Sequence, residues 1–275
     1  MGAGVMNMKL SFSTLACPRW SFEEMLAIAK DLHMDGIEIR GMGDTMYAPD
    51  MEIFSSANLQ KTLKRLKETG LSIPILTSGA YFASAQQPGD PVGEACAYID
   101  LAEKLGVPYV RVMAEPTPQP EDGDLDLAAK KYAQVCAYAK GSGVTPLIET
   151  NGHLASSDAM LRFLDAAGQD NAAVLWDIHH TVRYFAEKPE DTVKKLGGLI
   201  KHVHVKDSVM KNGVVEYRMM GYGDIPVQDA LTALCNEAAH EFIRRVPDAV
   251  HTIYLSPGGK VLTQKTAMRL AKYER

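Results

Sequence analysis

Short apolar runs alternate with amphipathic stretches of helical length along nearly the whole of this 275-residue chain, and that alternation restricts the fold more than any single motif does. Residues 9–15, 36–40, 71–77, 107–113, 144–149, 172–177 and 199–206 read as strands. Between the early runs, apolar residues recur three and four apart, as in Met25, Ile28, Ala29 and Leu32, or Leu59, Leu63 and Leu66. That spacing puts one greasy stripe on a helix. Ser21 with Glu24 makes a capping box for the first helix. Gly70, Gly106, Gly141 and Gly168 fall where successive helices should stop. Further helices are expected over 92–105, 125–140, 157–167, 189–196 and 226–239, and an eighth unit from 250–256 and 262–273. Strands that alternate with helices pair in parallel through right-handed crossovers. Eight such units in this length predict a closed (β/α)8 TIM barrel, α/β in class, with the last unit the least regular. No Gly-x-Gly-x-x-Gly follows the first strand and there is no Gly-Lys-Ser/Thr loop, which counts against the nucleotide-binding open sheets.

One domain over residues 8–275 is expected, with residues 1–7 set aside as leader or disordered. A net charge of -5 without any basic run gives no surface for nucleic acid. No apolar stretch approaches the roughly 18 residues of a membrane span, and the start lacks the blocks of a signal peptide. Cys17, Cys96, Cys136 and Cys235 are far apart and form no Cys-x-x-Cys pair, so reduced thiols and a cytoplasmic location are expected. The stretch 116–126, rich in Pro and acids, reads as one long loop.

In such a barrel the functional groups gather at the carboxyl ends of the strands. Three consecutive runs end in groups that bind metals: Leu-Ile-Glu149, Leu-Trp-Asp177 and His202-Val-His204. Glu149, Asp177 and His204 are 28 and 27 positions apart, about one strand-plus-helix unit, and so arrive at a common point. Two carboxylates and one imidazole suit a single divalent ion, Mn, Mg, Co or Zn, with positions left open for a hydroxy-carbonyl. His180, three residues past Asp177, should overhang the same mouth and bind substrate or metal. Lys206 and Asp207 either contact substrate or pair with each other. Asn151 and His153 lie just past Glu149, with Asn151 a candidate substrate contact. His202 reads as a hydrogen-bonded core histidine, Glu38 and Arg111 as an ion pair inside the barrel, and Trp20 and Trp176 as packing.

Taken together, Ile-Glu149, Leu-Trp-Asp177-Ile-His-His180, His202-Val-His204-Val-Lys-Asp207 and Gly221-Tyr-Gly-Asp-Ile-Pro226 resemble the sugar phosphate isomerase/epimerase family of xylose isomerase-like TIM barrels. The opening Ser11-Phe-Ser-Thr and Gly36-Ile-Glu-Ile-Arg are similar to its first two strands. The resemblance implies that Glu149 is both ligand and base, that Asp177 and His204 are ligands, and that His180 touches substrate or metal. It implies proton abstraction next to a metal-bound carbonyl of a small sugar, sugar phosphate or keto-polyol. The same enolate serves dehydration of keto-inositols. Homo-oligomers, dimers or tetramers, are expected on the same ground. The family also places a second glutamate at the end of strand eight, but residues 250–256 contain no carboxylate, and Glu241 sits in a run with helical spacing. A barrel that binds metal or sugar without turnover is the remaining alternative. The nuclease branch of the superfamily needs histidines after early strands, where this chain has Leu-Thr-Ser-Gly and Arg-Val-Met-Ala-Glu.

Overall fold

Strands β1 (Lys9–Ser13), β2 (Gly36–Glu38), β3 (Ile75–Tyr81), β4 (Tyr109–Met113), β5 (Thr145–Glu149), β6 (Ala173–Asp177) and β7 (Ile200–Val205) run parallel in the computed structural model, which describes residues 9–84, 89–235 and 250–253. A hairpin of β8 (Asp207–Lys211) and β9 (Val214–Arg218) comes next, and β10 (Val250–Ile253) is the eighth barrel strand. β10 pairs with β7 on one side and β1 on the other. Bridges from Gly36 to Ser72 and from Ile39 to Leu76 close the ring between β2 and β3. The (β/α)8 barrel is the fold that the alternation predicts. Helices α1 (Phe22–Asp31), α2 (Leu59–Thr69), α3 (Pro91–Leu105), α4 (Leu125–Ala139), α5 (Ser157–Ala167), α6 (Ile178–Phe185), α7 (Pro189–Leu196) and α8 (Val227–Cys235) lie in the connections. The capping box of Ser21 and Glu24 is present in both directions. No helix of the described residues is long and apolar enough to cross a membrane.

Alternate residues of a strand face opposite sides, and here that rule sorts two interiors. Phe12, Ile37, Ile148, Val174, Trp176, Val203 and Val205 join the core between strands and helices. Ile75, Leu147, Ala173 and Leu175, with Tyr109 packed on them, form a separate apolar cluster inside the ring. Two residues further along the same strands stand Thr77, Arg111, Glu149 and Asp177. The barrel is therefore plugged by aliphatic side chains and carries its polar groups in the next layer toward the carboxyl ends.

Three elements differ from the sequence expectation. β3 begins at Ile75 rather than residue 71, because Pro74 has no N–H to donate to a ladder. A helix, α6, starts immediately after β6, so His180 lies buried in a first helical turn instead of on a loop. The β8–β9 hairpin turns at Asn212 and Gly213, whose φ angles of 51° and 77° are those of a type I′ turn. The eighth strand is described only as Val250–Ile253; Glu241 and the helix expected over 262–273 lie outside the described residues.

Asp207 organises the chain beyond β7. The N–H groups of Ser208, Gly221, Gly223 and Ile225 donate to its carboxylate at 2.8, 2.9, 2.9 and 3.2 Å. Of the two roles expected for Asp207, substrate contact or a pair with Lys206, neither uses this carboxylate; it holds the loop. A Cβ at Gly223 would run into Asp207 Oδ1 and the Ser208 carbonyl. Gly223→Ala is therefore expected to expel the carboxylate from its donors and destabilise the protein by more than about 2 kcal/mol. Urea denaturation measures this; an unchanged midpoint would show that the loop does not depend on Asp207.

Candidate metal centre

Asp177 does two things because it ends β6 and also precedes α6. Its Oδ1 accepts the His180 N–H at 3.3 Å as the helix N-cap. That leaves Oδ2 toward the mouth, 3.9 Å from His204 Nδ1 and 2.7 Å from Lys206 Nζ. Glu149 ends β5, with Oε1 3.2 Å from His204 Nδ1 and Oε2 3.0 Å from Arg111 Nε. Arg111 stands on β4 and donates through Nη1 to the Ser78 carbonyl at 2.8 Å. His204 is gripped from behind by Glu38, whose Oε2 lies 3.0 Å from Nε2. His202, two residues deeper, sits 3.5 Å from the same oxygen. Asp177, Glu149, Arg111, His204, Glu38 and His202 are buried, and Lys206 is partly buried.

The ion pair expected between Glu38 and Arg111 is replaced by two others, Glu38 with the histidines of β7 and Arg111 with Glu149. His180 and Lys206 lie beside Asp177 and each other: Lys206 Nζ donates to His180 Nε2 at 2.7 Å. His180 Nδ1 donates to the Thr150 carbonyl at 2.9 Å, which fixes the tautomer. The Asn151 amide donates at 2.7 Å to both the Glu115 and the Thr117 carbonyls and ties down the loop after β4. His153 pairs with Glu115. Trp176 donates to Thr181 Oγ1 at 3.1 Å and packs, as expected. The sequence does not single out Glu115, Tyr184 or Tyr217. Tyr184 and Tyr217 lie 6.2 and 5.5 Å from the ring of His179, and only the Asn-Gly turn signals the hairpin that brings Tyr217 there.

The electrostatics follow from crowding charges where water is absent. Burial raises the carboxyls of Glu149 and Asp177, but their neighbours win and hold both below the ordinary range: the charges of Arg111 and His204 for Glu149, the His180 ring and the Lys206 ammonium for Asp177. Burial lowers His204, yet Glu38 and Glu149 override it and lift its pKa to about 9. Burial prevails at His180, taken down to about 4, and at His179, taken down to about 3.

Glu149, Asp177 and His204 fit a divalent ion. One ligand atom from each lies within 4.8 Å of the others, the set is O, O and N, and the far nitrogen of His204 is held by a carboxylate as metal-bound imidazoles usually are. A cation at Nδ1 must compete with a proton held up to about pH 9. Affinity for Mn2+ is thus expected to rise about tenfold per pH unit from pH 6 and to level off near 9. Calorimetric titration across that range checks it; a flat profile would remove His204 from the ligand set.

The family model described as xylose isomerase-like TIM barrel matches residues 26–257. No curated protein matches the sequence at a significant level. Among solved structures, the IOLI protein with a bound zinc atom aligns at TM-score 0.72 and 18% identity, over 97% of this chain and 96% of that one. The probable 3-DHS dehydratase AsbF of Bacillus anthracis aligns at 0.70 and 16%, over 98% and 99%. A D-allulose 3-epimerase from Methylomonas sp. aligns at 0.68 and 16%, over 98% and 90%. At these identities the likeness is one of fold. The match over most of the chain carries more: this protein belongs to the xylose isomerase-like TIM barrel family.

Proposed function

We propose that the protein is a divalent-metal-dependent isomerase or epimerase of a small sugar or keto-polyol, with Glu149, Asp177 and His204 as the metal ligands. The observation that carries this reading is the convergence of those three side chains from three consecutive strand ends. An ion held there supplies a Lewis acid for the substrate carbonyl. The remaining work falls to the chain. Arg111 keeps Glu149 ionised at neutral pH, so its carboxylate is ready to take the proton from the carbon beside the carbonyl. Arg111 is itself anchored to Ser78 and fixes where that carboxylate points. Lys206 stays an ammonium, held by Asp177 and by the neutral His180, and offers N–H donors to negative charge on the substrate oxygens.

Lys206 also supports a second reading, elimination. An ammonium beside the base can protonate a hydroxyl that leaves from the carbon next to the enolate. Both readings share the first proton transfer.

The test is incubation of the metal-loaded protein with a panel of ketoses and keto-inositols in deuterated water, followed by NMR. Deuterium is expected at the carbon next to the carbonyl, and Glu149→Gln should slow its entry at least about a hundredfold while thermal unfolding still shows a folded barrel. No exchange and no elimination product with any substrate would reduce the protein to a binding barrel.

A further inference from the structure

Outside the metal centre, one buried carboxylate is enclosed with unusual completeness. Glu115 lies two residues past β4, in the loop above the barrel mouth, with its side chain only 1% exposed. Its Oε1 accepts the Glu121 N–H at 2.9 Å and its Oε2 the His153 N–H at 2.5 Å. The His153 Nδ1 stands 3.0 and 3.1 Å from the two oxygens. Gly152, with φ 57°, leaves the space in which Glu115 sits; a Cβ there would overlap its carboxylate. A hydrogen-bonded buried carboxylate accepts and does not donate, so Nδ1 of His153 is the nitrogen that donates to Glu115. The imidazole is 44% exposed, and Nε2 is the nitrogen left for a ligand. The turn that carries His153 packs on α6, the helix that presents His180.

The surroundings restrict what that nitrogen can meet. Glu121, Asp122 and Asp124 are exposed on the same loop, Asp126 is exposed in the first turn of α4, and no Lys or Arg occurs between Arg111 and Lys130. A phosphate dianion is repelled from such a rim, whereas a hydroxyl is not.

We propose that Glu115 and His153 form a second recognition site at the rim, in which Nε2 of His153 accepts a hydrogen bond from a hydroxyl at the uncharged end of a substrate whose carbonyl lies among Glu149, Asp177 and His204. This rests on the function proposed above and adds a specificity residue to it: the distal end of the substrate is a free polyol and not a phosphate ester. His153 stands in the relation to Glu115 that an oriented base has to its supporting carboxylate, although here it positions and does no chemistry.

The test uses the metal-loaded protein with free ketohexoses and with the same sugars as 6-phosphates, read by calorimetric binding and by deuterium exchange at the carbon beside the carbonyl. Free sugars should bind at least about tenfold more tightly than their esters. His153→Ala should raise KM for the free sugar about tenfold with kcat changed less than about twofold, as expected for one lost binding hydrogen bond. His153→Gln, which keeps an acceptor at similar reach, should recover part of the loss. Tighter binding of the esters, or a His153→Ala protein with an unchanged KM, would overturn the rim site while leaving the function intact. Absence of exchange with either class of sugar would instead remove the function on which it rests.

Discussion

Three carboxylates sit inside one end of a closed barrel, and every other feature of the mouth answers to them. Glu38, Glu149 and Asp177 are buried, and a buried charge robbed of its partner costs about 3–5 kcal/mol. The chain therefore brings three cations to the same layer: Arg111 to Glu149, Lys206 to Asp177, and the His204 imidazolium between Glu38 and Glu149. An arrangement of this kind tolerates no slippage. A shift of one residue in any strand would turn its charged side chain outward, into the apolar layer under the helices. The aliphatic plug of Ile75, Leu147, Ala173 and Leu175 holds the register from below, so the site's precision depends on packing that itself carries no chemistry.

Two aspartates of the recognisable motifs, Asp177 and Asp207, illustrate how scaffold and site are joined. Asp177 gives one oxygen to the N-terminus of α6 and the other to the ligand cluster. The helix cap fixes the orientation of the carboxylate, and the positive end of the helix favours its charge. Asp207 gives all it has to backbone N–H groups. It closes the loop after the hairpin and sets Lys206, its neighbour, at the rim. Arg183 strengthens that closure by donating to Ser208 at 3.0 Å and by pairing with Asp224. In the sequence both aspartates are acids past a strand end; only the supply of N–H donors around each separates a functional group from a structural one.

That distinction marks the limit of what is legible in a sequence. Alternation, capping and helix stops foretell the barrel, and the 28 and 27 residue intervals foretell the meeting of Glu149, Asp177 and His204, because both depend on periods that are local in the chain. The partner of Arg111 is not legible in this way. Arg111 and Glu38 both point into the ring, and which acid each base meets depends on the order of strands around it and on relative heights fixed by the barrel's stagger. The hydrogen-bond partners of Asn151 are not legible for a related reason. An amide just past a ligand is equally suited to a substrate or to two loop carbonyls, and the loop between β4 and α4 happens to present the carbonyls. The hairpin is within reach of sequence reasoning, since Asn212-Gly213 between alternating residues states its turn directly.

The eighth strand poses the last physical question, because the family resemblance implies a glutamate at its end. In the ladder, Thr252 of β10 lies level with His204 of β7 and with Ser11 of β1, so the layer that holds Glu149, Asp177 and His204 is reached with no acid on Val250–Ile253. Downstream, the chain offers no Asp or Glu before Glu274. Glu241 and Asp248 precede Val250–Ile253 in the chain and lie outside the described residues. An ion held by Glu149, Asp177 and His204 alone would keep more positions open to substrate oxygens than one with four protein ligands. Binding would then rely less on the metal's own selectivity and more on contacts made farther out, and an oriented imidazole at the rim is the kind of group that can make them.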